Sequence, residues 1–96
     1  MRKIVFLRKA RLELREAKAW YETEASAELA EDLGREIIEK LQFVCDFPEL
    51  YQEIRPGYRR LVLTRFPYAV TYRTTKDTVF VLAVVNQARH PSTWLR

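Results

Sequence analysis

The sequence predicts an α+β fold: an N-terminal strand, a two-helix hairpin and a three-stranded antiparallel meander (β-α-α-β-β-β), with the helices packed on one face of the sheet. Apolar residues recur at steps of three and four along residues 9–44, the spacing of amphipathic helices. They alternate with polar residues on either side of Pro67, as in paired strands. Val79 to Val85 is an uninterrupted apolar run, typical of a strand buried on both faces. A single domain covering residues 1–96 is expected from this length.

The first three elements follow from local signals. Lys3 to Leu7 is a short strand, and helical spacing runs from about Lys9 to Glu24. Ser26 is suited to cap the second helix by accepting a hydrogen bond from an early backbone N–H. Phe47-Pro48 ends that helix, because proline disfavours helical geometry in the residue before it. The buried stripe of the second helix is predicted to be Ala30, Leu33, Ile37, Leu41 and Val44.

Gly34 lies in the middle of the second helix, where glycine costs about 1 kcal/mol relative to alanine. A glycine at that position is explained if it lets the first helix approach closely.

Three strands follow the turn signal Pro56-Gly57, at about Tyr58 to Arg65, Tyr68 to Arg73 and Thr78 to Asn86. The last of these should be central in the sheet because it is apolar throughout. Two consecutive helices can cover only one face of such a sheet. We therefore expect the other face to be covered partly by the segment with Pro91 and Trp94 and partly by a partner chain.

Charge is divided unevenly along the chain. Residues 1–50 carry nine Lys/Arg and eleven Asp/Glu, whereas residues 51–96 carry eight and two, so the halves have net charges of −2 and +6. The basic half either binds an acidic partner, protein or nucleic acid, or forms a solvated basic face.

Cysteine content and hydropathy indicate the cellular compartment of the protein. Cys45 is the single cysteine, and the apolar stretch near the N-terminus is too short for a signal-peptide core. The longest apolar run, Val79 to Val85, is too short to span a bilayer. The sequence predicts a cytoplasmic protein that does not bind membranes.

The sequence contains few residues of the types that commonly act in catalysis. One His and one Cys cannot furnish a zinc site, so no metal or other cofactor is expected. There is no glycine-rich phosphate loop, which argues against nucleotide hydrolysis. RNA cleavage by cations and a general acid or base remains open. The groups that could supply it are Arg59, Arg60, Arg65, Arg73, Arg89 and His90.

Strand alternation divides these arginines between the two faces of the sheet. Arg60 shares a face with Val62 and Thr64, whereas Arg59 shares one with Leu63 and Arg65. Each arginine is also explained by pairing with the acidic helices. Tyr68 and Tyr72 are predicted to pack in the core, and the Cys45 thiol is predicted to be buried on the apolar side of the second helix.

Several short motifs resemble toxins of bacterial type II toxin–antitoxin pairs in the RelE/ParE superfamily, closest to its ParE-like branch. They are Gly57-Tyr58-Arg59-Arg60, Arg65-Phe66-Pro67-Tyr68, Val70-Thr71-Tyr72, Val81-Leu82-Ala83-Val84, Arg89-His90-Pro91 and Trp94. The resemblance implies a cognate antitoxin that wraps the toxin, growth inhibition by the unpaired protein, and DNA binding only through the antitoxin complex.

The resemblance is compatible with two mechanisms of toxicity. ParE-like relatives inhibit DNA gyrase, whereas RelE-like relatives are ribosome-dependent mRNA endonucleases. Asn86 stands where many relatives carry histidine and no tyrosine follows Tyr72, so the acid/base set is incomplete. The gyrase mechanism, without catalysis, is therefore favoured. Target or antitoxin binding is assigned to Arg59, Arg60, Arg65, Arg73, Arg89 and Trp94, and a nuclease site, if there is one, to Arg60, Arg65, Arg89 and His90.

Overall fold

The computed structural model describes residues 2–87 and confirms the α+β class. Its elements are β1 (Lys3–Phe6), α1 (Arg8–Glu24), α2 (Ala27–Asp46), β2 (Gln52–Arg55), β3 (Tyr58–Val62), β4 (Tyr68–Thr74) and β5 (Thr78–Asn86). Four residues of the predicted sites and motifs, Arg89, His90, Pro91 and Trp94, lie outside the described residues. The extent of the domain, residues 1–96, stays a prediction.

The strands form one five-stranded sheet in the order β1-β5-β4-β3-β2. Strands β2 to β5 are an antiparallel meander, and β1 pairs in parallel with β5. β5 lies between β1 and β4, as its apolar sequence predicts.

The meander has a fourth strand, β2, in a stretch that was predicted to be a connection. Its sequence is QEIR and all four residues are exposed, so no buried alternation marks it as a strand. It forms because the turn at Pro56-Gly57, with Gly57 at φ 84°, folds it back against β3. Gln52 then pairs with Arg60 at the sheet edge.

Both helices begin and end close to the predicted positions. The Ser26 Oγ accepts a hydrogen bond from the Leu29 N–H at 3.1 Å, which confirms the predicted cap of α2. α2 ends at Asp46, immediately before Phe47-Pro48. The predicted stripe of α2 is buried in full: Ala30, Leu33, Ile37, Leu41 and Val44.

The helix contact at Gly34 is made by a side chain. A Cβ placed on Gly34 would lie 3.4 Å from the Lys18 Nζ and 3.6 Å from its Cε. The flexible Lys18 side chain of α1 therefore covers this position. The three atoms nearest to such a Cβ all belong to that side chain and none to the backbone of α1.

The core lies between the helices and one face of the sheet. Tyr72 and Val70 on β4 are completely buried, and Tyr68 is nearly so, which confirms their predicted packing. The Tyr21 ring of α1 packs edge-on against Phe66, with ring centroids 5.2 Å apart. This packing attaches the helical hairpin to the sheet.

Candidate functional site

The helices leave one face of the sheet without a helical cover, and we call it the open face. Cross-strand partners on it form three rows, each running from β3 or β4 toward β5 or β1: Arg60, Thr71 and Ala83; Val62, Ala69 and Val85; Arg73, Phe80 and Val5. None of these nine residues belongs to the buried core cluster between the helices and the sheet; Val62 is 46% exposed, whereas the small Ala69 beside it is only 2% exposed. The open face is thus an apolar strip with positive charge, and none of its nine residues is acidic.

Two of the predicted arginines lie on the open face. Arg60 pairs with Thr71, which is two residues from Arg73 on the same side of β4. The Arg73 guanidinium carbon lies 5.1 Å from the centroid of the Phe80 ring, a cation–π arrangement. Neither arginine forms an ion pair with a carboxylate among the described residues, so both charges are available to a partner.

Arg59 projects to the other side of β3. Its Nη1 donates a hydrogen bond to the Tyr51 carbonyl at 2.7 Å, and its cross-strand partner is Tyr72. The Tyr72 hydroxyl donates to the Pro48 carbonyl at 3.2 Å. Burial raises the pKa of Tyr72, an effect that the Tyr51 backbone and the Arg59 charge only partly oppose. The phenol therefore remains protonated at neutral pH and cannot serve as a base.

Arg65 does not lie on a strand, in contrast to the sequence-based prediction. β3 ends at Val62, because the Thr64 N–H donates to the Glu36 carboxylate of α2 at 2.9 Å instead of to a neighbouring strand. The turn places the Arg65 Nη2 3.3 Å from the Asp32 carboxylate, where the two form an exposed ion pair. Arg65 is thus separated from the arginines of the open face.

A second surface borders this turn, and we call it the α2 groove. Its volume is about 620 Å³, and it includes the exposed side chains of Phe43 and Leu50, at 60% and 54% exposure. Glu36 lies in the groove, and its Oε2 accepts from both the N–H and the Oγ1 of Thr64 at 2.9 Å. Burial alone would raise the pKa of Glu36, but the Thr64 bonds, the Lys40 charge and the Arg65 N–H together hold it below its ordinary value.

Asn86 lies at the end of β5. The Asn86 Nδ2 lies 3.5 Å from the Tyr68 hydroxyl, in a cavity of about 160 Å³ that Trp20 also lines. Beside it, the Glu13 Oε1 accepts a hydrogen bond from the Val84 N–H at 2.9 Å, at the edge of β5. The Asn86 amide can donate and accept hydrogen bonds but does not take a proton at neutral pH.

The thiol of Cys45 is enclosed by the core. Cys45 is buried, and burial together with the nearby Asp46 charge raises the pKa of its thiol. The described part of the chain contains no group of three His, Cys, Asp or Glu side chains that could hold a metal ion. The prediction that Cys45 belongs to the core is confirmed.

Comparison with known protein families identifies the family of this chain. The sequence matches the family model described as the ParE toxin of type II toxin–antitoxin system, parDE, over residues 4–91. The chain belongs to this ParE toxin family. The predicted resemblance is therefore confirmed, and membership of the family makes this chain a type II toxin with a cognate antitoxin.

A solved structure shares the fold of this ParE-family toxin. It is described as "Chromosomal ParDE TA system from P. aeruginosa", and it matches with a TM-score of 0.75 and 21% identity, covering 90% of this chain and 96% of that one. No curated protein matches the sequence significantly. Within residues 2–87, neither helix is long and apolar enough to cross a membrane.

The polar contacts of Glu36 and Arg2 were not predicted from the sequence. Glu36 precedes Ile37 at the border of the buried stripe of α2, so a carboxylate held against the core could have been noticed there. Arg2 gave no such signal, because its partners are backbone carbonyls of Cys45 and Thr75. Only the folded chain brings those carbonyls to the N-terminus.

Proposed function

We propose that this ParE-family toxin inhibits DNA gyrase by binding, without catalysing a reaction on a substrate. The observation that supports this is Asn86 at the end of β5, where its amide lies beside the Tyr68 hydroxyl. An amide cannot act as a general base, and a buried phenol of raised pKa such as that of Tyr72 cannot replace one. A binding mechanism requires only surface complementarity, which the apolar open face and its two arginines supply.

A supercoiling assay with purified gyrase tests the proposal. The free toxin should block supercoiling or accumulate cleaved DNA, and the toxin bound to its antitoxin should do neither. Removing a charge from the open face by Arg73→Gln should weaken the inhibition, whereas Arg11→Gln on the exposed side of α1 removes an equal charge elsewhere and should not. Normal supercoiling and no cleaved DNA at micromolar toxin would contradict the proposal.

We further propose that the antitoxin covers the open face. Val62 is exposed in the row of this face nearest the β3–β4 turn, and an aspartate there would be buried without a partner in the complex. Val62→Asp should therefore weaken antitoxin binding by about tenfold or more, equivalent to about 1.4 kcal/mol. Leu12→Asp is a matched control, because Leu12 is 42% exposed but lies on α1.

Titration calorimetry of both variants with the antitoxin measures this difference. Equal weakening by the two substitutions, with both proteins folded, would show that the open face is not the antitoxin site.

mRNA cleavage is the second candidate, and it is favoured by one observation. Arg60 and Arg73 lie on the same face without ion pairs among the described residues, so they could hold a phosphodiester. If this is the activity, Arg60→Gln should abolish codon-phased cuts in primer extension, whereas Arg65→Gln should change them little because Arg65 faces Asp32. Uncut messages during growth arrest would exclude cleavage.

A further inference from the structure

A basic cleft lies at the end of the sheet opposite the β3–β4 turn. Its volume is about 360 Å³, and it is bordered by the β2–β3 turn, the β4–β5 turn and the segment that follows α2. Four basic and two acidic residues border it: Arg2, Arg59, Arg73 and Lys76, with Glu49 and Glu53. The Arg73 guanidinium lies over the Phe80 ring on the open face, so the cations of the cleft itself are Arg2, Arg59 and Lys76. We call this the basic cleft; of the predicted site residues it includes Arg59 and Arg73.

The positive charge of the basic cleft is not neutralised from within. The ion pairs among residues 2–87 involve Lys9, Arg35, Lys40 and Arg65, none of which lines the cleft. One carboxylate of the cleft is already engaged, because the Glu53 Oε2 accepts the Gly57 N–H at 3.0 Å. An anion entering the cleft would therefore meet cations that have no competing carboxylate in contact.

Two of the guanidinium groups are held in place before any ligand binds. The Arg2 Nε donates to the Thr75 carbonyl at 2.8 Å and its Nη1 to the Cys45 carbonyl at 3.1 Å. The Arg59 Nη1 donates to the Tyr51 carbonyl at 2.7 Å. Each guanidinium keeps further N–H groups for a ligand, and because its position is fixed, binding costs less conformational entropy than with free surface side chains.

We propose that the basic cleft binds a phosphate monoester group, that is, a terminal phosphate. Such a group carries about −1.5 to −2 charges at pH 7 and three strong acceptor oxygens, which match the three cations of the cleft and their N–H donors. A carboxylate or an internal phosphodiester carries a single negative charge and only two charged acceptor oxygens, so it would engage the three cations less fully. Inorganic phosphate, a nucleotide or the 5′-phosphate end of a nucleic acid could each supply the group. This site does not depend on the identity of the toxin's cellular target.

Titration of the purified toxin distinguishes these sources. Inorganic phosphate, adenosine monophosphate, a 5′-phosphorylated oligonucleotide and the same oligonucleotide with a 5′-hydroxyl are added separately at physiological salt. Binding is measured by calorimetry and by the NMR signals of the Arg2 and Arg59 Nε–H groups. We expect the monoester ligands to bind and shift these signals, and the 5′-hydroxyl oligonucleotide to bind at least about tenfold more weakly. Binding by the 5′-phosphorylated oligonucleotide alone would assign the site to nucleic-acid ends.

Lys76→Gln is the decisive variant. Lys76 is exposed and makes no hydrogen bond or ion pair to the described residues, so its removal leaves the fold intact. We expect about tenfold weaker phosphate binding, a loss typical of one charge-assisted contact. Lys18→Gln removes the same charge from the helical hairpin and should bind phosphate as the wild type does. The proposal is overturned if no monoester binds, if the two oligonucleotides bind equally, or if the two lysine variants are alike.

Discussion

Glu36 should stabilise the fold through its charge, and Glu36→Gln tests this. The carboxylate accepts two hydrogen bonds from Thr64 and so joins α2 to the β3–β4 turn. Its side chain is only 12% exposed, but both bonds are exposed at their Thr64 end, so solvent screens them in part. A hydrogen bond to a charged acceptor contributes about 1.5–3 kcal/mol against about 1 kcal/mol for a neutral one. Since glutamine keeps an acceptor oxygen and Thr64 itself is exposed, the low end applies, and we expect a loss of about 1 kcal/mol at pH 7.

Thermal unfolding measures this loss, which corresponds to a Tm lower by roughly 4–8 °C for a chain of this size. The effect must also depend on pH. Because the pKa of Glu36 is lower in the folded than in the unfolded state, its contribution is complete above the unfolded pKa and disappears as the pH falls through the folded pKa. The wild type and Glu36→Gln should therefore converge in stability at an acidic pH below the folded pKa of Glu36, whereas at pH 7 they differ.

Glu39→Gln is the matched control, since Glu39 is exposed on the same helix and borders the same groove. This substitution should change stability by less than about 0.5 kcal/mol. The reasoning is refuted if Glu36→Gln is as stable as the wild type at pH 7, or if its deficit is the same at both pH values.

Three further predictions concern the core and the helices. Ser26→Ala removes the acceptor for the Leu29 N–H and should cost about 1 kcal/mol in urea unfolding, whereas an unchanged midpoint would mean that water replaces the cap. Tyr72→Phe leaves the partly buried Pro48 carbonyl without this donor and should cost about 1 kcal/mol, measured in the same way; a more stable variant would show that the bond contributes nothing. The Cys45 thiol, buried and of raised pKa, should react with a thiol reagent only as fast as the protein opens. Reaction at the rate of a free thiol under native conditions would contradict its burial.

The helical half of the fold could be predicted closely because its signals are local. The stripe from Ala30 to Val44, the cap at Ser26 and the stop at Pro48 each depend on residues a few positions apart. The order of the last three strands could be predicted for the same reason, since short turns connect them. β2 could not, because its four exposed residues carry no periodic pattern and its pairing depends on the turn that folds it onto β3.

The candidate site was predicted less completely. Alternation along the strands correctly separates Arg59 from Arg60, and the structure shows Arg60 on the open face and Arg59 bound to Tyr51 on the other side. The same alternation misplaces Arg65, because it assumes that β3 continues through Thr64, whereas the Glu36 carboxylate of α2 takes the Thr64 N–H. A competing hydrogen bond from a distant helix cannot be read from the spacing of residues within a strand.

The sequence by itself determined which segments are helical, which apolar side chains are buried and that two helices would leave part of the sheet without a helical cover, since these depend on spacing along the chain. Only the tertiary structure decided how distant polar groups meet. Arg2 and Thr75 are 73 positions apart, yet their hydrogen bond helps to form the wall of the basic cleft. The reason is physical: hydrophobic burial requires only that the right face be apolar, whereas a hydrogen bond or a charge cluster requires a specific register and distance, which are set when the whole chain packs.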